Sequence, residues 1–475
     1  MPNPEKPGPD AGRPRAVRVV FALFTVAIIL VSTIAVLEYL NNVRPYQQSA
    51  QSPSEPLPAL WQKNLSGIPS TIETSGTGTF YVLVDSHGNW TGNPPWNLYA
   101  IQLSNGSVKW HHNLTLRNQA NAQPELYLHN SELYLVGAGS SLSLNGTGNV
   151  ISNGSYAMYI VPFNQSDGNA GKVQSIAMPL NFSQSGTFSV YGSHLYASWV
   201  TETGQQVEAA AFSAFGGSSG PVLSWETALT PPATYNTNIP GIRVNGNFLV
   251  IPAWNLIALN STNGHEIFSV NYTTLNSDRV NLMNGALVNS TFYYVAELYG
   301  HQGTVNLNLV GLDLFTGKAT VNVTVSNSSQ GLYPLQVRHY GKELAVSTGL
   351  SGEYVVTNLE GKTLWNSRNI SYLATSGETH VSPGSPVAVL SNGNWLLSLV
   401  SYPPHNSGLA NQYLEEVYPS NGTLVWIHQF SFEESADSYQ FMPPSTTAPP
   451  YVIVMPSQPP YIVYRWGSSL GCAAL

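Results

Sequence analysis

The chain has 475 residues, and only 9% of them are charged, compared with about 25% in typical soluble proteins. Its net charge of −8 is spread thinly, without a basic patch to match a phosphate backbone, so we expect no nucleic-acid partner. Asn, Ser, Thr, Tyr and Gly replace the missing charge, which argues against a multi-spanning membrane protein and favours strands and turns over helices.

The N-terminus carries a candidate membrane anchor. Residues 1–18 are rich in Pro and Gly and contain four basic residues, and the uncharged run VVFALFTVAIILVSTIAVL follows. As a helix, this run is just long enough to cross about 30 Å of hydrocarbon. It is longer than the core of a signal peptide, and no A-x-A cleavage pattern follows it. We predict an uncleaved signal anchor over residues 19–40, with a cleaved signal as the alternative.

The basic flank sets the expected orientation. Positive charge concentrates before the anchor, which predicts a cytoplasmic tail over residues 1–18 and an outward-facing remainder. The polar, Pro-rich residues 41–58 resemble a stalk, which leaves 59–475 for an extracytoplasmic domain. The one cysteine, Cys472, excludes an intrachain disulfide. It also begins a C-a-a-X prenylation pattern, but a prenylated C-terminus would have to face the cytosol.

Fifteen N-x-S/T sequons with a non-proline middle residue follow the anchor, and several of them fall in predicted turns. A chain rich in Asn, Ser and Thr makes some sequons by accident, but their excess favours N-glycosylation. The predicted acceptors are Asn64, Asn89, Asn105, Asn113, Asn145, Asn153, Asn164, Asn181, Asn260, Asn271, Asn289, Asn322, Asn327, Asn369 and Asn421.

One sequence pattern recurs through the rest of the chain. In LYAIQLSNGSVKWHHNL, an alternating run ends in a turn closed by Gly106, and Trp110 follows four residues later. The copies are spaced by about 43 to 65 residues, as expected for four-stranded propeller blades. We predict that the glycines shape tight hairpins and that the large residues pack between blades. The residues in these repeat positions are Gly106, Trp110, Trp225, Gly264, Phe268, Gly317, Gly361, Trp365, Gly422 and Trp426, with a degenerate copy at Gly171.

The first copy of the pattern is incomplete. The segment around Trp61 matches the strand around Trp110, yet no strands of its own blade precede it. The C-terminal segments YVIVMPS and YIVYRWG lack a following Gly-to-Trp strand. We therefore expect the strand around Trp61 to complete the last blade and close the ring, which would remove exposed sheet edges. This gives an all-β propeller of about eight four-stranded blades, with seven as the alternative.

The runs LYAIQLSNGSVKW, LIALNSTNGHEIF and LVGLDLFTGKATV resemble the PQQ-like repeat of the quinoprotein alcohol dehydrogenase-like propellers, over residues 60–475. The resemblance implies fold only, because that family includes both quinone-dependent dehydrogenases and non-catalytic scaffolds. Its enzymes typically bring a vicinal Cys-Cys pair and calcium ligands, and a Cys-Cys pair is missing here. We expect no cofactor, with PQQ or calcium as alternatives.

The sequence offers little other chemistry. His111 and His112 are adjacent on a predicted strand, so they should point to opposite faces and not chelate one ion. The acidic run 432–437 could hold calcium or a carboxylate pair but is more typical of a solvated loop. We predict no catalytic residue and no metal site. The expected function is a non-catalytic interaction or scaffold module at the cell surface that binds other surface proteins or glycans. The alternatives are a quinone- or metal-dependent oxidoreductase and a carbohydrate-active or glycan-binding protein.

Overall fold

A computed structural model describes most of residues 59–474, with gaps that include 87–94, 145–155, 230–240, 272–278, 368–379, 403–410 and 431–451. The predicted tail, anchor and stalk lie outside these described residues, as does the acidic run 432–437. Within the described part of the chain, no helix has the length and apolar character needed to span a membrane.

The described residues form eight antiparallel sheets, which we number in chain order. Sheet 1 contains β2 (Ile68–Thr74), β3 (Thr79–Asp85), β4 (Pro95–Gln102), β5 (Val108–Arg117) and β8 (Ser141–Leu144). Sheet 2 contains β6 (Glu125–His129), β7 (Glu132–Gly139), β9 (Tyr156–Phe163) and β10 (Gln174–Met178). Sheet 3 contains β11 (Thr187–Tyr191), β12 (His194–Val200), β13 (Val207–Ser213) and β14 (Val222–Leu229).

The next three sheets repeat the same four-stranded meander. Sheet 4 contains β15 (Arg243–Asn245), β16 (Phe248–Pro252), β17 (Asn255–Asn260) and β18 (Glu266–Asn271). Sheet 5 contains β19 (Arg279–Val288), β20 (Thr291–Tyr299), β21 (Val305–Asp313) and β22 (Ala319–Ser328). Sheet 6 contains β23 (Val337–Tyr340), β24 (Glu343–Ser347), β25 (Tyr354–Asn358) and β26 (Thr363–Asn366).

The last two sheets depart slightly from this pattern. Sheet 7 contains β27 (His380–Ser382), β28 (Pro386–Val389), β29 (Trp395–Tyr402), β30 (Asn411–Val417) and β31 (Leu424–Phe430), and both β27 and β28 pair with β29. Sheet 8 contains β32 (Val452–Met455), β33 (Tyr461–Trp466), β34 (Ser469–Ala474) and the N-terminal β1 (Ala59–Asn64).

Strand β1 joins the N-terminal and C-terminal ends of the described residues. It pairs antiparallel with β34, and Trp61 lies opposite Cys472. The sheet order is β1-β34-β33-β32, so the first strand of the domain occupies the outer position of the last sheet. This pairing gives β34 a partner on each side and leaves neither of its edges open to another chain.

The core lies between consecutive sheets. Apolar clusters connect sheet 8 with sheet 1 and then each sheet with the next as far as sheet 7. The central strands supply most of these side chains because they are buried on both faces, as in the TFYVLV segment of β3. Strands farther from the centre of a sheet, such as β5, alternate between buried and exposed residues.

Candidate functional site

The repeat residues form contacts between neighbouring sheets. The Trp61 ring of sheet 8 lies against Gly106 of sheet 1, where a Cβ atom would approach the ring to 2.6 Å. Gly106 has a φ of +67°, a left-handed conformation that glycine adopts without strain. The Trp61 indole nitrogen donates a hydrogen bond of 2.6 Å to the Leu103 carbonyl oxygen in the same turn. The tryptophan of one sheet therefore caps the hairpin turn of the next sheet.

Other repeat positions show the same contact with different side chains. Trp225 packs on Gly264 of the following sheet and donates a 2.8 Å hydrogen bond to Ser261. Phe268 lies beside Gly317. Val321 and Val323 pack against Gly361. The Trp365 indole donates a 2.7 Å hydrogen bond to the Pro419 carbonyl, in the turn that holds Gly422. Trp426 is half-buried opposite Glu416.

The degenerate copy in sheet 2 places its turn glycine differently from our expectation. The left-handed residue that receives Trp110 is Gly168, with a φ of +74° and a projected Cβ distance of 2.5 Å to the ring. Gly171 instead lies against Pro162. Extra residues separate Gly168 from β10, so the sequence pattern indicated Gly171, which comes after the glycine that contacts Trp110.

The adjacent histidines have separate partners. The His111 ring stacks on Tyr99 at 4.5 Å and donates a 3.1 Å hydrogen bond to the Asn97 amide oxygen. His112 donates to the Gly168 carbonyl at 2.6 Å in the neighbouring sheet. Both rings hold the framework together. In the described residues, no three His, Cys, Asp or Glu side chains group closely enough to hold a metal ion.

The lone cysteine is part of the core. Cys472 is fully buried on β34, in the cluster between sheets 8 and 1. Burial raises the pKa of its thiol to about 12. A thiol in this position is neither accessible nor reactive, which speaks against the prenylation pattern as a modification site.

Most sequon asparagines whose side chains are described are exposed. The exposed ones are Asn64, Asn105, Asn113, Asn164, Asn289, Asn322 and Asn421, and Asn260 is half-exposed. In several turns the Asn side-chain oxygen accepts a hydrogen bond from the backbone N–H two residues on, the bond of an Asx turn. The sequons at Asn89, Asn145, Asn153, Asn181 and Asn369 lie outside the described residues, as do the side chains of Asn271 and Asn327.

Ionisable side chains occur on the first strands of three sheets. First strands of neighbouring sheets contact one another, as β2 does with β6 and β11 with β15. Glu73 lies on β2, Glu125 and Tyr127 lie on β6, and Arg243 lies on β15, and all four are partly buried. Glu73 interacts electrostatically with Glu125, and Glu125 with Arg243. We call these four residues the first-strand cluster.

Burial perturbs the ionisation of this cluster. It raises the pKa of the Glu73 carboxyl to about 7, the nearby Glu125 carboxylate adds to the rise, and a backbone hydrogen bond at Thr74 opposes it. Burial also raises the pKa of Glu125, while the Tyr127 hydroxyl that donates to it and the Arg243 guanidinium oppose that rise. At neutral pH the cluster thus combines a half-protonated carboxyl, a second carboxyl, a phenol and a cation.

Sequence reasoning did not find this cluster. Its members are far apart in the chain, and none belongs to a motif. The available signal was the rarity of charge, since a Glu or Arg within a short alternating strand is uncommon in a chain that is 9% charged.

Comparison with solved structures identifies the architecture. Sqt1 from Chaetomium thermophilum matches with a TM-score of 0.52 at 12% identity, covering 89% of this chain and 100% of that chain. The fold is a β-propeller. Sqt1 bound to the N-terminus of the ribosomal protein L10 gives a TM-score of 0.50 at 12% identity, covering 86% of this chain and 98% of that one. The likeness shows the propeller fold alone.

Two other propeller matches are weaker. BamB from Moraxella catarrhalis has a TM-score of 0.42 at 11% identity, covering 88% of this chain and 98% of its own. A europium-containing methanol dehydrogenase has a TM-score of 0.35 at 10% identity, with coverages of 73% and 85%. No protein-family model and no curated protein sequence matches the chain.

Proposed function

We propose that this chain is a membrane-anchored, N-glycosylated surface protein whose β-propeller is a non-catalytic binding module for other surface proteins or glycans. The anchor over residues 19–40, the cytoplasmic tail over 1–18 and the sequons support this location. The proposal includes an eight-bladed ring of the PQQ-like type, which β1 closes by completing the blade of β32 to β34. The order of the eight sheets and the pairing of β1 with β34 support the ring.

The first-strand cluster is the observation that carries the binding role. In a propeller the first strand of each blade is the innermost one and lines the central opening. The repeat tryptophans are committed to packing between blades, whereas Glu73, Glu125 and Arg243 are not needed for that packing. Partly desolvated carboxyl, phenol and guanidinium groups form strong hydrogen bonds to hydroxyl and amino groups of a polar ligand. The opening therefore has the chemistry of a site for sugars or for basic side chains of a protein partner.

Binding to arrayed glycans and basic peptides tests this role. The wild-type chain, purified in detergent micelles, should bind a subset of the array, and Glu125→Gln should weaken that binding at least tenfold. Glu226→Gln is the matched control, because Glu226 is an exposed glutamate on the outer strand β14. Equal binding by all three proteins would contradict the proposal that the ligand binds in the central opening.

A second candidate, glycoside hydrolysis, is favoured by the pairing of Glu73 with Glu125. Two interacting carboxyl groups, one of them with a pKa of about 7, match the acid and carboxylate roles of such enzymes. Chromatography of the bound glycans distinguishes the candidates: a binding module leaves them intact, whereas a hydrolase releases shorter products and loses this activity in Glu73→Gln.

A further inference from the structure

A glutamate lies in the apolar contact between sheets 6 and 7, on different sheets from the first-strand cluster. This contact, the 6–7 seam, includes Tyr354 and Trp365 from sheet 6 and Trp395, Leu397 and Val417 from sheet 7. Trp365 and Trp395 meet edge to face at 6.0 Å, and Tyr354 meets Trp365 in the same way at 5.6 Å. The rings are in direct contact, so the seam is a packed interface.

Glu415 enters this seam from the middle of β30. Its cross-strand neighbour is Leu397, and Val417 lies two residues further along the same strand, so the three side chains share one face of the sheet. Glu415 is 0% exposed. Neither of its carboxyl oxygens has a hydrogen-bond partner among the described residues. A buried polar group without a partner is costly, and a buried charge without a partner is far more so.

The next residue shows the contrast. Glu416 faces the other side of the sheet, where Asn392 and Asn394 donate hydrogen bonds of 2.9 and 2.5 Å to its carboxylate. Such donors stabilise an ionised carboxylate. Adjacent glutamates of one strand therefore occupy opposite environments, and only Glu416 has the donors that an anion requires.

Among the described residues of the facing sheet, no cation is paired with Glu415. The Tyr354 phenol on β25 interacts with Glu415 and also with the Tyr340 phenol on β23, and a neutral phenol supplies no positive charge. The Tyr354 hydroxyl also lacks a hydrogen-bond partner in the part of the chain that is described. Arg338 interacts with Tyr340, and burial is the cause of the raised pKa of Glu415.

We propose that the stability of the 6–7 seam depends on pH: Glu415 is the neutral acid in the closed contact, and its ionisation loosens the contact between sheets 6 and 7. The inference is independent of what the central opening binds. Under this proposal, the contact between sheets 6 and 7 is most stable in acidic surroundings and weaker in alkaline ones.

The direction follows from linkage. Burial raises the pKa of Glu415 to about 8, whereas the same carboxyl in an opened seam has its ordinary pKa of 4.5. Between these two values the open form has lost its proton while the closed form retains it. Closure is therefore most favourable below pH 4.5 and is lost progressively as the pH rises through about 8.

Hydrogen exchange of the full-length protein in detergent micelles measures the opening. After correction for the intrinsic exchange rate, amides of β25 and β30 should show an opening constant that rises on the order of a hundredfold between about pH 6 and pH 9. Glu415→Gln, which is neutral at every pH, should abolish this rise. Glu226→Gln should retain it, because that glutamate is exposed.

The strand β17 gives an internal control, because neither β17 nor its paired strand β16 contains an ionisable residue. If Glu415→Gln fails to fold, the comparison of β25 with β17 in the wild-type protein still decides. Exchange in β25 that rises no more than in β17, or a rise that persists in a folded Glu415→Gln protein, overturns the proposal.

Discussion

Replacing a turn glycine tests how neighbouring blades hold each other. In Gly106→Ala, the new methyl group would lie 2.6 Å from the Trp61 ring of the adjacent blade, which is shorter than a van der Waals contact. Trp61 must then move and lengthen its 2.6 Å hydrogen bond to Leu103. We take about 1–2 kcal/mol for the left-handed backbone, about 1–3 kcal/mol for overpacking and about 1 kcal/mol for the hydrogen bond. The expected loss in free energy of unfolding is about 3–6 kcal/mol from these contributions.

Gly192→Ala is the matched control. Gly192 has a similar φ of +60°, but a Cβ atom there would meet nothing within 4 Å. This variant should lose only the backbone contribution of about 1–2 kcal/mol. Urea denaturation followed by tryptophan fluorescence measures both free energies. Equal losses in the two variants would refute the claim that the repeat tryptophan seats on the glycine of the next blade.

Three further outcomes are expected. Trp365→Phe keeps an aromatic ring but loses the 2.7 Å bond to Pro419, which should lower the free energy of unfolding by about 1 kcal/mol or more in urea titrations; an unchanged stability would contradict the bond. Cys472 should resist maleimide labelling at pH 7 in the folded protein and react in denaturant, because it is buried and its pKa is about 12; rapid labelling when folded would place β34 elsewhere. Raising the pH through about 7 should destabilise the wild type, because Glu73 then ionises where it is partly desolvated. Glu73→Gln should lose this part of the pH dependence of thermal unfolding. The same pH dependence in the variant and the wild type would count against a raised Glu73 pKa.

The architecture was predictable because its signal is local and repeated. The step from Gly106 to Trp110 combines a turn requirement with a packing requirement, and both recur along the chain. The copy in sheet 2 was misaligned, because the residues after Gly168 obscured the spacing. The roles of Gly106 and Trp61 as contact partners across blades fit the same physical reasoning.

The candidate sites were not predictable in the same way. Glu73, Glu125 and Arg243 interact only because the first strands of different sheets lie near one another. Glu415 and Glu416 look like an ordinary solvated acidic pair in the sequence. Their opposite environments depend on the packing of Trp365 and Trp395 across a seam, which a single sequence does not specify.

A hydrogen-exchange footprint tests the central claim that the propeller binds its partner at the central opening. The tightest binder from the glycan and peptide arrays is added to the full-length protein, and protection is measured strand by strand. We expect slower exchange in β2, β6 and β15, which carry Glu73, Glu125 and Arg243. Protection confined to outer strands such as β14 and β22, with the first strands unchanged, would contradict the account.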